Sequence, residues 1–309
     1  MKKDYQPDYV KIASSIFLSK FEKQTGKPAT GVLYNKYLSL FNTELQKTYG
    51  RDILKLPHCW YRWGDEVVRY YLPYLDWNHD DLTVTTVSLR ENADGDCGYE
   101  DAITNAAKAY ADKFIAEYGG KEGAEKAIDE VYQNAPFPFQ NKYRMLRESL
   151  RISRKNTPMN NFYGYIRSLF EQAMEEYPSA FKELTKQKKE FEAVFNLAME
   201  SNASQDELFE ISERFWFFFC YHLRLNSKCH FNVQKTTIAT WEEVIPLETG
   251  RFEKVMQNYA WKFSGGNIDE KTDRTIVQLI EDRKERIDNI TRLLAELDDS
   301  DSTDNADGF

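Results

Sequence analysis

Apolar positions along this chain recur mostly at three- and four-residue spacing, the signature of helices with one buried face. Tyr9, Ile12, Ala13, Ile16, Phe17 and Phe21 predict a first helix over about Pro7 to Phe21, ended by Thr25-Gly26-Lys27-Pro28. Tyr34, Leu38, Phe41 and Leu45, widened by Leu33, Tyr37 and Leu40, predict a second between Thr30 and Tyr49, closed by Gly50. Asp65-Glu-Val-Val-Arg-Tyr-Tyr71 reads as a third, stopping before Pro73. Leu82-Thr-Val-Thr-Thr-Val-Ser-Leu89, dense in β-branched residues, is the best strand. Three helices followed by strand material is the order of a winged helix.

After the Gly/Asp-rich break Asn92–Gly98 the periodicity is helical again. Ile103, Ala107, Tyr110 and Phe114 mark a helix ending at Gly119-Gly120, and Ala124, Ile128 and Val131 a shorter one. A basic helix with Tyr143, Leu146 and Leu150 inside restarts after Pro138. Ile166, Leu169, Phe170, Ala173 and Met174 share the next face, and Pro178 interrupts the run. Ser204, with Asp206 and Glu207 behind it, reads as an N-cap with acids in the first turn. Phe215-Trp-Phe-Phe-Phe-Cys-Tyr221 is apolar all round, so its helix belongs at the centre of a core. Ile276, Ile280, Arg283, Ile287, Ile290, Leu294 and Leu297 form a heptad-like seam with one arginine in it, a surface for a protein partner.

Composition sharpens this picture. With 20 Phe and 19 Tyr against 14 Gly and 9 Pro, the 309 residues suit packed helices rather than Gly-rich barrels. The net charge of −9 is uneven: residues 298–309 hold five Asp and no base, a composition that cannot offset its ordering entropy and predicts a disordered acidic tail. Four cysteines (Cys59, Cys97, Cys220, Cys229) make no disulfide scaffold, and no signal peptide or membrane-length apolar run is evident, which predicts a reduced, cytoplasmic protein away from membranes.

The densest chemistry lies in Leu56-Pro-His-Cys-Trp-Tyr-Arg-Trp-Gly64. His58, Trp60, Tyr61, Arg62 and Trp63 are expected to form a structural cluster, both tryptophans buried, with polar tips finding partners. Together with Leu33-Tyr34-Asn-Lys-Tyr-Leu38, Trp77-Asn-His-Asp80 and Ala135-Pro-Phe-Pro-Phe-Gln-Asn-Lys-Tyr143, this stretch resembles an uncharacterised archaeal protein family. More distantly, the order of helix, then aromatic and Gly64, is similar to the SocA-like (Panacea) antitoxin domain. The resemblance covers the first half and bears on fold rather than chemistry.

Metal chemistry is not expected. Cys220 and His222 are two apart on a helix and point to different faces, and His58-Cys59 and Cys229-His230 are adjacent pairs without a Cys-x-x-Cys. Motifs for nucleotide cofactors, serine hydrolases and zinc peptidases do not occur, so no cofactor is expected. Arg224 to His230 resembles the Arg-x(4–6)-His spacing of the helical HEPN ribonucleases, which implies an alternative catalytic pair, Arg224 for phosphate and His230 for the proton. The stronger hint is basic. Lys142, Arg144, Arg147, Arg151, Arg154 and Lys155 stand in a window with one acid, Glu148. Arg144, Arg147 and Arg151 share a helix face that could track a DNA or RNA backbone.

The expectation is thus a mainly α (α+β) protein. It comprises a winged-helix-like domain over 1–92, a linking segment with the basic helix over 99–157, an all-helical bundle over 158–297 and a tail over 298–309. Its expected function is non-enzymatic binding, by a nucleic-acid-binding regulator or defence-associated component. A protein-interaction module and a metal-independent HEPN-like ribonuclease are the alternatives.

Overall fold

The computed structural model describes residues 8–79, 85–90, 100–155 and 161–265. Cys97, the seam Ile276 to Leu297, the acidic tail and the expected boundaries near 92, 99 and 157 lie outside them. Of the described residues about 70% are helical and 9% are in strands, which form two small antiparallel sheets.

Helix α1 (Tyr9–Thr25) starts where the Asp8 carboxylate accepts the Lys11 N–H at 3.0 Å, and α2 (Gly31–Tyr49) where Thr30 Oγ1 accepts from Leu33. Their apolar stripes meet through Phe17 stacked on Tyr37, 4.1 Å between ring centres, and Ser14 Oγ lies 2.7 Å from the Tyr34 hydroxyl. The first sheet is β1 (Ala29–Thr30), β5 (Thr85–Leu89) and β4 (Leu75–His79), in that order. Helix α3 (Ala102–Tyr118) lies against α1, where Tyr9 donates its hydroxyl to Asp101 at 2.6 Å.

The segment expected to be a third helix is instead strand. His58–Tyr61 (β2) and Gly64–Val67 (β3) form a hairpin, with Trp60 opposite Asp65 and Tyr61 opposite Gly64, and only Arg69–Tyr71 makes a single 3-10 turn. The hairpin ladder gives the Asp65–Val67 backbone partners that an isolated seven-residue helix would lack. Among the described residues two helices, with the short β1 between them, precede the hairpin, not the three helices on which the winged-helix expectation rested. Gly64 is required at its position. It has φ +93°, and a Cβ there would lie 3.0 Å from the Tyr132 ring.

A third strand, β6 (His230–Phe231), joins β2 from far along the chain, and Trp60 N–H donates to the Cys229 carbonyl at 2.7 Å. Helices α4 (Gly123–Tyr132), α5 (Pro138–Ser153), α6 (Phe162–Glu175) and α7 (Thr185–Glu200) precede α8 (Gln205–Leu223), and α9 (Lys235–Phe263) follows it. Helix α8 is central. Tyr143 of α5 stacks on Trp216, Phe191 of α7 stacks on Phe215 at 4.1 Å, and Phe252 of α9 stacks on Phe218 at 4.5 Å. Ser204 caps it as the sequence predicts, and Glu207 completes a capping box. One hydrophobic cluster runs from Val10 through Trp60 and Trp216 to Met256. No described helix is long and apolar enough to cross a membrane.

Candidate binding site around the β2–β3 hairpin

The hairpin is held from beneath by a buried polar network. Asp65 receives the Ser39 hydroxyl on Oδ2 at 2.6 Å and pairs through Oδ1 with His58 Nδ1 at 2.6 Å. Its backbone carbonyl takes the ammonium of Lys36 at 2.7 Å. Burial works against the Asp65 carboxylate, but His58, Ser39 and Lys36 outweigh it and hold the group below its ordinary pKa. For His58 burial likewise opposes the charge, and Asp65 overcomes it and raises the pKa. Lys36 is fully buried, and desolvation pulls its pKa down to about 8 despite Glu66 and Asp65. The imidazole stacks on Phe231 of β6, 4.7 Å between centres. Ser39 bonds to the carboxylate and not to the imidazole, so the trio is a structural clasp without an activated nucleophile.

The hairpin turn separates its residues by strand alternation. Trp60 is 4% exposed, as expected, and meets Tyr132 edge-on, whereas Trp63 is 41% exposed. The burial expected for Trp63 does not occur, because a two-residue turn projects its second residue outward. Its indole lies 5.6 Å from the guanidinium of Arg147, while Trp216 donates its indole N–H to the Arg62 carbonyl at 3.0 Å.

The basic helix is placed as predicted, but its arginines are engaged. Arg147 is buried and forks onto Glu213 of α8, its second nitrogen 3.0 Å from Oε2. Arg144 pairs with Asp129 over the Tyr132 ring, Arg151 with Glu125 and Glu148 at 2.8 and 2.7 Å, and Arg154 with Asp206. The shared face expected to follow a nucleic-acid backbone is thus turned to α4 and α8, whose acids neutralise it. Lys142 reaches Gln172 at 3.5 Å, and Lys155 is exposed.

Arg224 caps α8 with its guanidinium among Tyr61, Tyr221 and Trp241. His230 is brought to it, with Nδ1 3.0 Å from the Arg224 carbonyl. The His/Cys pairs of the two halves also meet, Cys59 opposite His230 in the ladder. Among the described residues, however, no group of three His, Cys, Asp or Glu could hold a metal ion. Cys59, Cys220 and Cys229 are buried free thiols; burial raises each, Cys229 to about 12, so they remain protonated and inert. Burial and the neighbouring Arg224 lower His222 to about 4.

Sequence reasoning missed Ser39, Lys36, Asp65, Glu213 and Trp241. Only Lys36 left a signal, a cation inside the densest part of the α2 stripe. In comparisons with protein-family models, curated proteins and solved structures, nothing matches this chain. Function therefore has to be read from these residues.

Proposed function

We propose that this chain is a non-catalytic binding protein whose partner is nucleic acid, engaged at the tip of the β2–β3 hairpin. The carrying observation is Trp63, a half-exposed indole on a short turn over an arginine fixed by its own carboxylate. An aromatic face held rigidly is the element on which unpaired bases stack, and tryptophan in such a place commonly dominates binding energy. The reading needs no winged helix. Of the groups that could do acid–base work, His58, Asp65 and Lys36 are committed to one another.

Anisotropy titration of labelled single- and double-stranded DNA and RNA tests it. Single strands should bind more tightly than duplexes, and Trp63→Ala should lose about 1–3 kcal/mol of binding. If no nucleic acid binds at low salt, a protein-interaction module replaces this reading, with the seam Ile276 to Leu297 as its first surface.

A metal-independent ribonuclease is the second reading, favoured by one geometry. A carbonyl can only accept, so the bond to Arg224 makes His230 Nδ1 the donor there and turns Nε2 away from that contact. RNA cleavage in the presence of a chelator, abolished by His230→Ala, would replace the binding reading.

A further inference from the structure

Arg62 and Arg224 differ from every arginine of α5. Among the described residues neither pairs with a carboxylate, and the Nε of each is buried without a hydrogen-bond partner. Aromatic rings hold them instead. The Arg62 guanidinium lies 4.0 Å from the Phe217 ring centre and 5.3 Å from that of Tyr61. Arg224 lies 5.3 Å from the same Tyr61 ring, 4.9 Å from Tyr221 and 4.9 Å from Trp241. Phe217, Tyr221 and Arg224 follow one another at four and three residues on α8 and so share its face. Tyr61 packs edge-on against Tyr221, 5.8 Å between centres, so both cations lie against one aromatic cluster.

Ring faces orient a planar guanidinium but accept its N–H groups poorly, so a stacked arginine keeps its fork available for an acceptor in its own plane. The nearby acid, Glu66, spends Oε1 on the Trp63 amide at 3.1 Å and does not reach either cation. Two uncompensated charges with fork geometry match a phosphate monoester, which carries close to two negative charges at neutral pH and several acceptor oxygens. A single carboxylate would leave one charge unmatched.

We propose that Arg62 and Arg224, framed by Tyr61, Phe217, Tyr221 and Trp241, form a binding site for a phosphate monoester, either on a free nucleotide or at the end of a nucleic-acid strand. The site does not depend on stacking at Trp63.

Calorimetric titration of the full chain at low salt tests it, with inorganic phosphate, a nucleoside 5′-monophosphate, and a short oligonucleotide with a 5′-phosphate or a 5′-hydroxyl as probes. The phosphate-bearing probes should bind, and Arg62→Met or Arg224→Met should weaken them about tenfold or more, whereas a change at the exposed Lys113 of α3, Lys113→Gln, should not. A 5′-phosphate preference in the oligonucleotide assigns a strand end, and equal binding of both oligonucleotides with retained mononucleotide binding assigns a free nucleotide. Because either methionine variant could misfold, the Nε–H resonances of Arg62 and Arg224 should be followed in the wild type. Both should shift on adding phosphate. No binding of any phosphate probe, unmoved resonances, or affinity that survives both substitutions would overturn the proposal. Trp63 quenching by a 5′-hydroxyl oligonucleotide reports the stacking reading separately.

Discussion

Trp216 donates its indole N–H to the backbone carbonyl of Arg62, 3.0 Å away, and so fixes the tip of the β2–β3 hairpin to the central helix of the other half of the chain. The bond joins residues 154 positions apart, and Arg62 and the exposed Trp63 take their places from it. Replacing Trp216 with Phe keeps most of the ring packing but leaves that carbonyl unsatisfied. The expected loss is about 1–3 kcal/mol in urea unfolding.

The two hairpin tryptophans should behave oppositely. Trp60→Ala opens a cavity against Tyr132 and should cost about 3–5 kcal/mol. Trp63→Ala removes a half-exposed ring and should stay within about 1 kcal/mol of wild type. Equal losses in denaturant titration would mean that Trp63 belongs to the core.

Arg147 and Glu213 form a buried pair, and removing one partner strands the other. Arg147→Gln should therefore cost about 3–5 kcal/mol, whereas Arg147→Met with Glu213→Leu should recover much of it. A double-mutant cycle measures the difference. A simultaneous change of Arg144, Arg147 and Arg151 to Gln should accordingly destabilise the fold rather than selectively weaken nucleic-acid binding.

The His58–Asp65 pair sets a pH window for stability. The depressed pKa of Asp65 stabilises the fold above its unfolded value of about 4, and that contribution fades as pH falls through the folded value. The raised pKa of His58 stabilises the fold fully below about 6.5, and its contribution fades as pH rises through the folded value. Stability from this pair should be greatest between about pH 4 and 6.5. In His58→Gln, thermal midpoints should lose the decline on the alkaline side that the wild type shows.

Local signals were legible wherever the decisive atoms lie close in sequence. Ser204 and Glu207 announced the start of α8, Gly26 and Gly50 the ends of α1 and α2, and Pro138 the first turn of α5. The spacing of Arg144, Arg147 and Arg151 gave a true shared face. Which way that face turns depends on Asp129, Glu125 and Glu213, whose positions follow from tertiary packing. Asp65-Glu-Val-Val imitates a helix start with acids in the first turn, yet Arg62-Trp63 is a hairpin turn, and pairing with β2 prevailed. The two residues of β6 are too few for any pattern, so the meeting of His58 with Phe231 could not be read.

Quenching of Trp63 fluorescence by a single-stranded oligonucleotide tests the central claim most directly, measured in the wild type, which carries five other tryptophans, and again in Trp63→Phe. The account predicts saturable quenching that is largely lost in Trp63→Phe and weakens with salt, log affinity falling by about 0.7 per contacted phosphate per log unit. Quenching that persists unchanged in Trp63→Phe, or no quenching at low salt, would contradict it.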